Sequence, residues 1–439
     1  MKKLFIYLTF AAAALSMQSC LHDNEDTFDM SAAERIDMAV AEAKALLVSA
    51  DNGWKLEYYL GSKYSYGGYN YLVKFGSDGK ARVAAEIAAS DAVSQSAWDI
   101  TKDQGPVLTF NTYNEFLHEL TQPYQDAVDG YEGDYEFIIM KTTPDTIYLE
   151  GKKWHNAMIM TRNASDLVWK DYLDKIAEVK DNFIYLYKAN IGGSEVKFNM
   201  NADKQVSITD AADAELATAQ FIFTTAGIKF REPVTVNGVT FDRMNYNANT
   251  TDIRQSTLVT ENGTATLEGN VPATFQLFDE IGGSYRLTAN GRSATVTLEG
   301  EKTWSGKAFK MKGLIKNEKD EDVDMVIQYD PVYGQMQILP QYLGTHEEMN
   351  VPVYALAWAI DPAVGSGSIS TNSKNGIKLI WNQNQAAPAY TFEPMSAGFL
   401  TNSFILYWRT EDDGDVPEDW KTTLSGDYRL AYLTSLTKL

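Results

Sequence analysis

The chain has 439 residues, with 38 Lys and Arg against 59 Asp and Glu, a net charge of −21 and a single cysteine. So acidic a surface repels phosphate backbones, which are gripped through clustered Lys and Arg, and nucleic acid is excluded as a partner. A hydrophobic content of 44% with 12% aromatics is that of a globular protein long enough for two or three domains.

Lys2 and Lys3 precede an apolar run from Leu4 to Leu15, and small Ser19 stands before Cys20. This is the charged start, short apolar middle and small-residue cleavage site of a signal peptide over residues 1–19. So short a run cannot cross the roughly 30 Å hydrocarbon layer, which takes about 20 residues of helix. Cys20 then leads the mature chain, and its thiolate is the nucleophile that lipid attachment needs. The expectation is a lipoprotein held on the membrane by acyl chains on Cys20, each buried CH₂ contributing about 0.8 kcal/mol. Residues 20–30, with Asp23, Glu25, Asp26 and Asp29, form a polar tether with too little apolar surface to fold.

A helix is predicted from Ser31, where SAAE offers a capping box between Ser31 and Glu34, and Ile36, Val40, Ala43 and Leu47 recur at helical spacing. Asp51-Asn52-Gly53 stops it. Strands follow at Trp54 to Leu60, Tyr69 to Phe75 and Lys80 to Glu86, the last two joined by the turn-forming GSDG, then at Tyr135 to Lys141, Thr146 to Glu150 and Ala157 to Thr161. A second helix is predicted from Ser165 to about Phe183, with Trp169, Tyr172, Ile176, Val179 and Phe183 on one side.

The two helix-led stretches resemble each other. YLVKFGSDGKARVAAE aligns with SEVKFNMNADKQVSITD, placing Phe75 on Phe198, and WDITKDQGPVLTF with FIFTTAGIKF, placing Trp98 near Phe221 and Phe110 near Phe230. Two independent hairpins of common type would give the same likeness. After EIGGS at 280–284, short strands recur at roughly ten-residue spacing, the signature of a β-sandwich or barrel. The reading is therefore α+β and mostly β. Residues 31–280 form a helix-led antiparallel sheet domain with a weak internal repeat (31–164 and 165–280), and residues 281–439 form an all-β domain.

Several segments together carry a family resemblance: AERIDMAVAEAKALLVSADNGWKLEYYLG, GGYNYLVKF, GPVLTFNTYN, GDYEFIIMK with DTIYLEGKK, and FTTAGIKFREPVTVNGVTF. From about Glu34 to the C-terminus the chain resembles the Bacteroidetes lipoprotein family described as domain of unknown function 4302. The resemblance implies an envelope lipoprotein and no activity. LHDNEDTFD after Cys20 is similar to the acidic export tag of Bacteroidetes surface lipoproteins, which implies an outer-membrane location facing the cell exterior. Asp145-Thr146-Ile147 resembles the Asp-Ser/Thr-aliphatic acceptor of O-glycans in those bacteria, marking Thr146, although a strand entry after Pro144 explains it as well.

The chemistry-bearing residues are sparse. The histidines at 22, 118, 155 and 346 are far apart, and no HExxH, Cys/His pairing, GxSxG or SxxK occurs, so no metal, cofactor or catalytic residue is expected. Asp320, Asp322 and Asp324, and Glu411, Asp412, Asp413 and Asp415 around Gly414, offer calcium-type oxygens without completing a calcium loop. Two aromatic clusters remain as ligand candidates. In EYYLGSKYSYGGYNY, Tyr69, Tyr71, Val73 and Phe75 share one strand face and read as core, while Tyr64 and Tyr66 near the glycines are expected to stand clear of the sheet. Trp381 runs into the amide-rich NQNQAAP. The leading expectation is a surface accessory lipoprotein that binds a glycan or other nutrient beside an outer-membrane uptake system. The alternative is a structural or adhesion protein acting through protein contacts, and a carboxylate glycosidase comes third, since two carboxylates about 5 to 10 Å apart would suffice.

Overall fold

The computed structural model describes residues 31–103, 105–123, 128–384 and 387–439. Helix α1 (Ala32–Val48) begins at the expected capping box: the Glu34 N–H donates to the Ser31 hydroxyl at 3.3 Å and the Ser31 N–H to Glu34 Oε2 at 2.9 Å. Its buried face, Ala43 and Leu47, enters the core of an eight-stranded antiparallel barrel, and the Trp54 indole donates to Leu47 O at 2.9 Å. The barrel runs from Trp54–Tyr59 to Ala157–Arg162, each strand pairing with the next. It closes because Trp54 also stands opposite Arg162. Gly76 to Gly79 form the expected hairpin turn, with Gly79 at φ 76° and Phe75 paired to Ala81. The aligned segment WDITKDQGPVLTF forms the hairpin of strands Ser94–Lys102 and Pro106–Phe110, and a short helix α2 (Glu115–Glu119) follows.

Helix α3 (Trp169–Asn182) then leads into a second eight-stranded closed barrel, from Leu186–Ile191 to Thr266–Gly269, closed by Glu268 opposite Lys188. The stretch 31–280 is thus two helix-led barrels, each with its own core, at the places of the two repeats. The aligned aromatics occupy matching places: Trp98 stands opposite Phe110 in the first barrel, and Phe221 opposite Phe230 in the second. Helix α3 packs on both barrels, with Leu173 against Leu72 and Ala84 of the first and Ile176 in the core of the second.

The barrels meet over a polar and close-packed junction. Gly67 has φ 64°, and a Cβ there would lie 2.5 Å from Lys204 Cβ. Lys204 is itself fully buried: its ammonium donates to Glu86 Oε1 at 2.8 Å and Gly68 O at 2.6 Å, and lies 3.0 Å from the centroid of the Tyr69 ring. Glu86 also accepts from the Asn70 backbone N–H (2.9 Å) and side-chain amide (2.6 Å), while Asn70 reaches across to Phe223 O and receives the Tyr172 hydroxyl. A second pair, Lys229 with Glu57 at 2.7 Å, lies beside it. Burying polar groups is tolerated only when they are paired in this way.

After helix α4 (Phe278–Ile281) the chain forms a nine-stranded antiparallel sheet whose ends join through Arg292–Thr303 and Gly306–Lys316, together with a six-stranded sheet. The six-stranded sheet turns Val353, Ala355, Ala357, Phe404 and Leu406 into the common core. The hairpin tip at Trp304 touches the earlier domains. Its ring lies 5.3 Å from Tyr131, and its carbonyl accepts from Lys180 at 2.9 Å.

Candidate functional site

The three sequence-designated rings do not form one site. Tyr64, in a short 3₁₀ turn at φ 64°, is half-buried between the barrels. Arg231 stacks on its ring at 4.0 Å, Tyr59 meets it edge-on, and its hydroxyl accepts from the Ala157 N–H at 3.3 Å. Tyr66 is also half-buried and meets Tyr131 edge-on at 5.3 Å; burial first, then Glu132 and Asp203, raises its hydroxyl pKa. Neither ring stands clear of the sheet. Gly67 and Gly68 serve the close approach of the second barrel instead of freeing these tyrosines. Tyr69, Tyr71, Val73 and Phe75 are all buried, as their alternation requires.

Trp381 is next to last in the strand Ile377–Asn382 and is half-buried against Tyr390, ring centroids 4.9 Å apart, at the margin of the C-terminal core. Thr146 opens the strand Thr146–Gly151 and turns back on Thr143, whose hydroxyl accepts the Thr146 N–H at 3.0 Å. Cys20 and the tether lie outside the described residues. Of the acidic loops, Asp320 pairs with Lys421 and Asp322 with Lys316, each at 2.8 Å. Among the described residues no three His, Cys, Asp or Glu side chains gather as metal ligands.

A more open arrangement sits on the outer face of the six-stranded sheet. The strand Val351–Asp361 lies between Gln341–His346, at the sheet edge, and Ser403–Arg409. Residues directly opposite on neighbouring strands share a face. Tyr342 stands opposite Tyr354, and Tyr354 opposite Tyr407, so three tyrosines form a row across three strands. Alternation explains the row: Val353 and Ala355 point into the core, which turns Pro352, Tyr354 and Leu356 outward. Tyr342 is 56% exposed and meets Tyr354 at 5.7 Å and 66°, while Tyr354 and Tyr407 are half-buried.

The row floors two adjoining hollows of about 580 and 550 Å³. Tyr342 and Tyr354 line the first and Tyr407 the second; Leu356, Thr371, Arg409, Thr410 and Glu411 line both. Local hydrogen bonds hold the walls. The Gln341 side-chain amide pairs with both the N–H and C=O of Val326, the Tyr407 hydroxyl donates to Gly414 O at 2.7 Å, and Thr410 N–H donates to Asp413 O at 2.8 Å. The turn after Arg409 therefore projects Glu411 and Asp412 as exposed carboxylates beside an exposed guanidinium. An aromatic floor with a few placed polar groups is the composition of small-molecule sites. Sequence reading reached the EDDGD rim and the strand of Tyr407, Phe404 to Trp408, but not the row, because it marked neither Gln341–His346 nor Val351–Asp361, the strands of Tyr342 and Tyr354.

Compared with known proteins, residues 24–248 match the family model described as Domain of unknown function (DUF4302), and residues 260–407 match a second, described only as a domain of unknown function (DUF4987). No curated protein and no solved structure matches the chain.

Proposed function

The chain belongs to the family described as domain of unknown function DUF4302, and from that footing we propose that it is a lipid-anchored envelope protein whose C-terminal domain binds a glycan. The observation that carries this reading is the Tyr342–Tyr354–Tyr407 row flooring an open trough. Pyranose rings offer C–H faces to aromatic rings and hydroxyls to Arg409, Thr410 and Glu411, so floor and wall match the two chemistries of a sugar. Lipid on Cys20 would hold the domain at the outer membrane, where captured glycan passes to an uptake system.

Affinity electrophoresis through gels containing cell-wall and host polysaccharides tests the binding. Retardation should be lost in Tyr342→Ala and Tyr354→Ala and kept in Tyr64→Ala. Loss in Trp381→Ala alone would move the site to that ring, and release of new reducing ends would make the protein a hydrolase. The anchor is tested separately: Cys20→Ala should leave the membrane fraction, since among the described residues no helix is long and apolar enough to cross a membrane. A variant that still pelleted after a salt wash would refute it.

A further inference from the structure

We infer, resting on the glycan-binding reading, that the trough takes an extended, uncharged oligosaccharide laid across the strands, and neither a single sugar nor a polyanionic glycan. Length comes from the sheet. Neighbouring strands lie about 4.8 Å apart, so the row from Tyr342 through Tyr354 to Tyr407 covers about 10 Å, more than one pyranose ring. The hollows at the two ends are similar in size and share Leu356, Thr371, Arg409, Thr410 and Glu411, so one chain can run continuously from one to the other.

Charge sets the second property. The trough is lined by one guanidinium, Arg409, against three carboxylates, Glu411, Asp412 and Asp413. Asp413 is fixed at the Tyr407 end: Gly414 N–H donates to its Oδ1 at 2.8 Å, and its own N–H donates to the Thr410 hydroxyl at 3.1 Å. A uronate or sulfate over Tyr407 meets like charge, and such juxtaposition disfavours a partner strongly. Arg409 alone cannot neutralise three carboxylates. It serves instead as a donor to hydroxyl or ring oxygens at the joint between the hollows.

The test is a glycan array carrying neutral, uronate and sulfated chains of one to six residues, followed by titration calorimetry on the best-bound series and on an oligogalacturonate of equal length. Affinity should rise about tenfold or more from one residue to four and then level off. The oligogalacturonate should bind about tenfold or more weakly, and Asp412→Asn/Asp413→Asn should narrow that gap. Tyr407→Ala should weaken the four-residue chain by a larger factor than the disaccharide, and a parent-like far-ultraviolet circular dichroism spectrum shows that the variant is folded. Full affinity for a single sugar, or equal affinity for the uronate chain, overturns the inference while leaving glycan binding intact. No binding by any chain overturns the glycan reading and the inference with it.

Discussion

Glu86→Gln removes one charge from the most deeply buried ion pair of the molecule's barrel junction. Both side chains are 2% exposed, with the ammonium 2.8 Å from the carboxylate. The glutamine amide can still bond to Asn70, but the Lys204 ammonium is left in place beside Gly68 O and the Tyr69 ring without its directly paired carboxylate. Removing one member of such a pair costs about 3 to 5 kcal/mol because the survivor stays out of water. Each kcal/mol lowers the melting temperature of a folding unit this size by about 2 to 4 °C, so a fall of about 6 to 20 °C is expected. Lys204→Met alone should cost about as much. The double variant Glu86→Leu/Lys204→Met should recover much of the loss, because two apolar side chains leave no buried charge. Urea and thermal melts followed by tryptophan fluorescence measure all four proteins. A Glu86→Gln variant within about 1 kcal/mol of the parent, or a double variant no more stable than Glu86→Gln, would refute the reasoning.

The same pair sets a pH dependence. Burial, opposed by Glu86, draws the Lys204 ammonium down to about 8 from 10.5. Between those values the unfolded chain holds a proton that the folded chain has released, so stability should rise as pH climbs through that window. Lys204→Met should flatten this rise in melts taken across it, and parallel curves for the two proteins would argue against it. Gly67→Ala should cost about 1 to 3 kcal/mol more than Gly193→Ala: both glycines have positive φ, but only at Gly67 does a Cβ strike the facing barrel. Equal losses in urea melts would show that the barrels do not approach so closely. Tyr71→Ala should cost about 3 to 5 kcal/mol, its ring being fully buried and its hydroxyl bonded to Phe116 O. Tyr64→Ala should cost about 1 to 2 kcal/mol through loss of the Arg231 stack, and a loss near zero would return that ring to the solvent.

The sequence by itself determined what is decided within a few residues. Ser31 and Glu34 specify the start of α1 because a capping box needs only a three-residue spacing. Period-two alternation places Tyr69, Tyr71, Val73 and Phe75 in the core, and the GSDG turn sets the hairpin that joins their strand to the next. The match of Trp98 and Phe110 to Phe221 and Phe230 was legible too, since each pair sits on adjacent strands linked by a short connection. Tertiary structure decided what depends on distant partners. Closure of the first barrel pairs Trp54 with Arg162, and the junction pairs Glu86 with Lys204; no local pattern marks either. Tyr64 and Tyr66 looked free because their own segment leaves them free, and the second barrel and Tyr131 occupy that space. The tyrosine row is of the same kind: Tyr342, Tyr354 and Tyr407 become neighbours only when three strands align, because side chains share a face through hydrogen-bond register between strands, a relation that exists only once the sheet has formed.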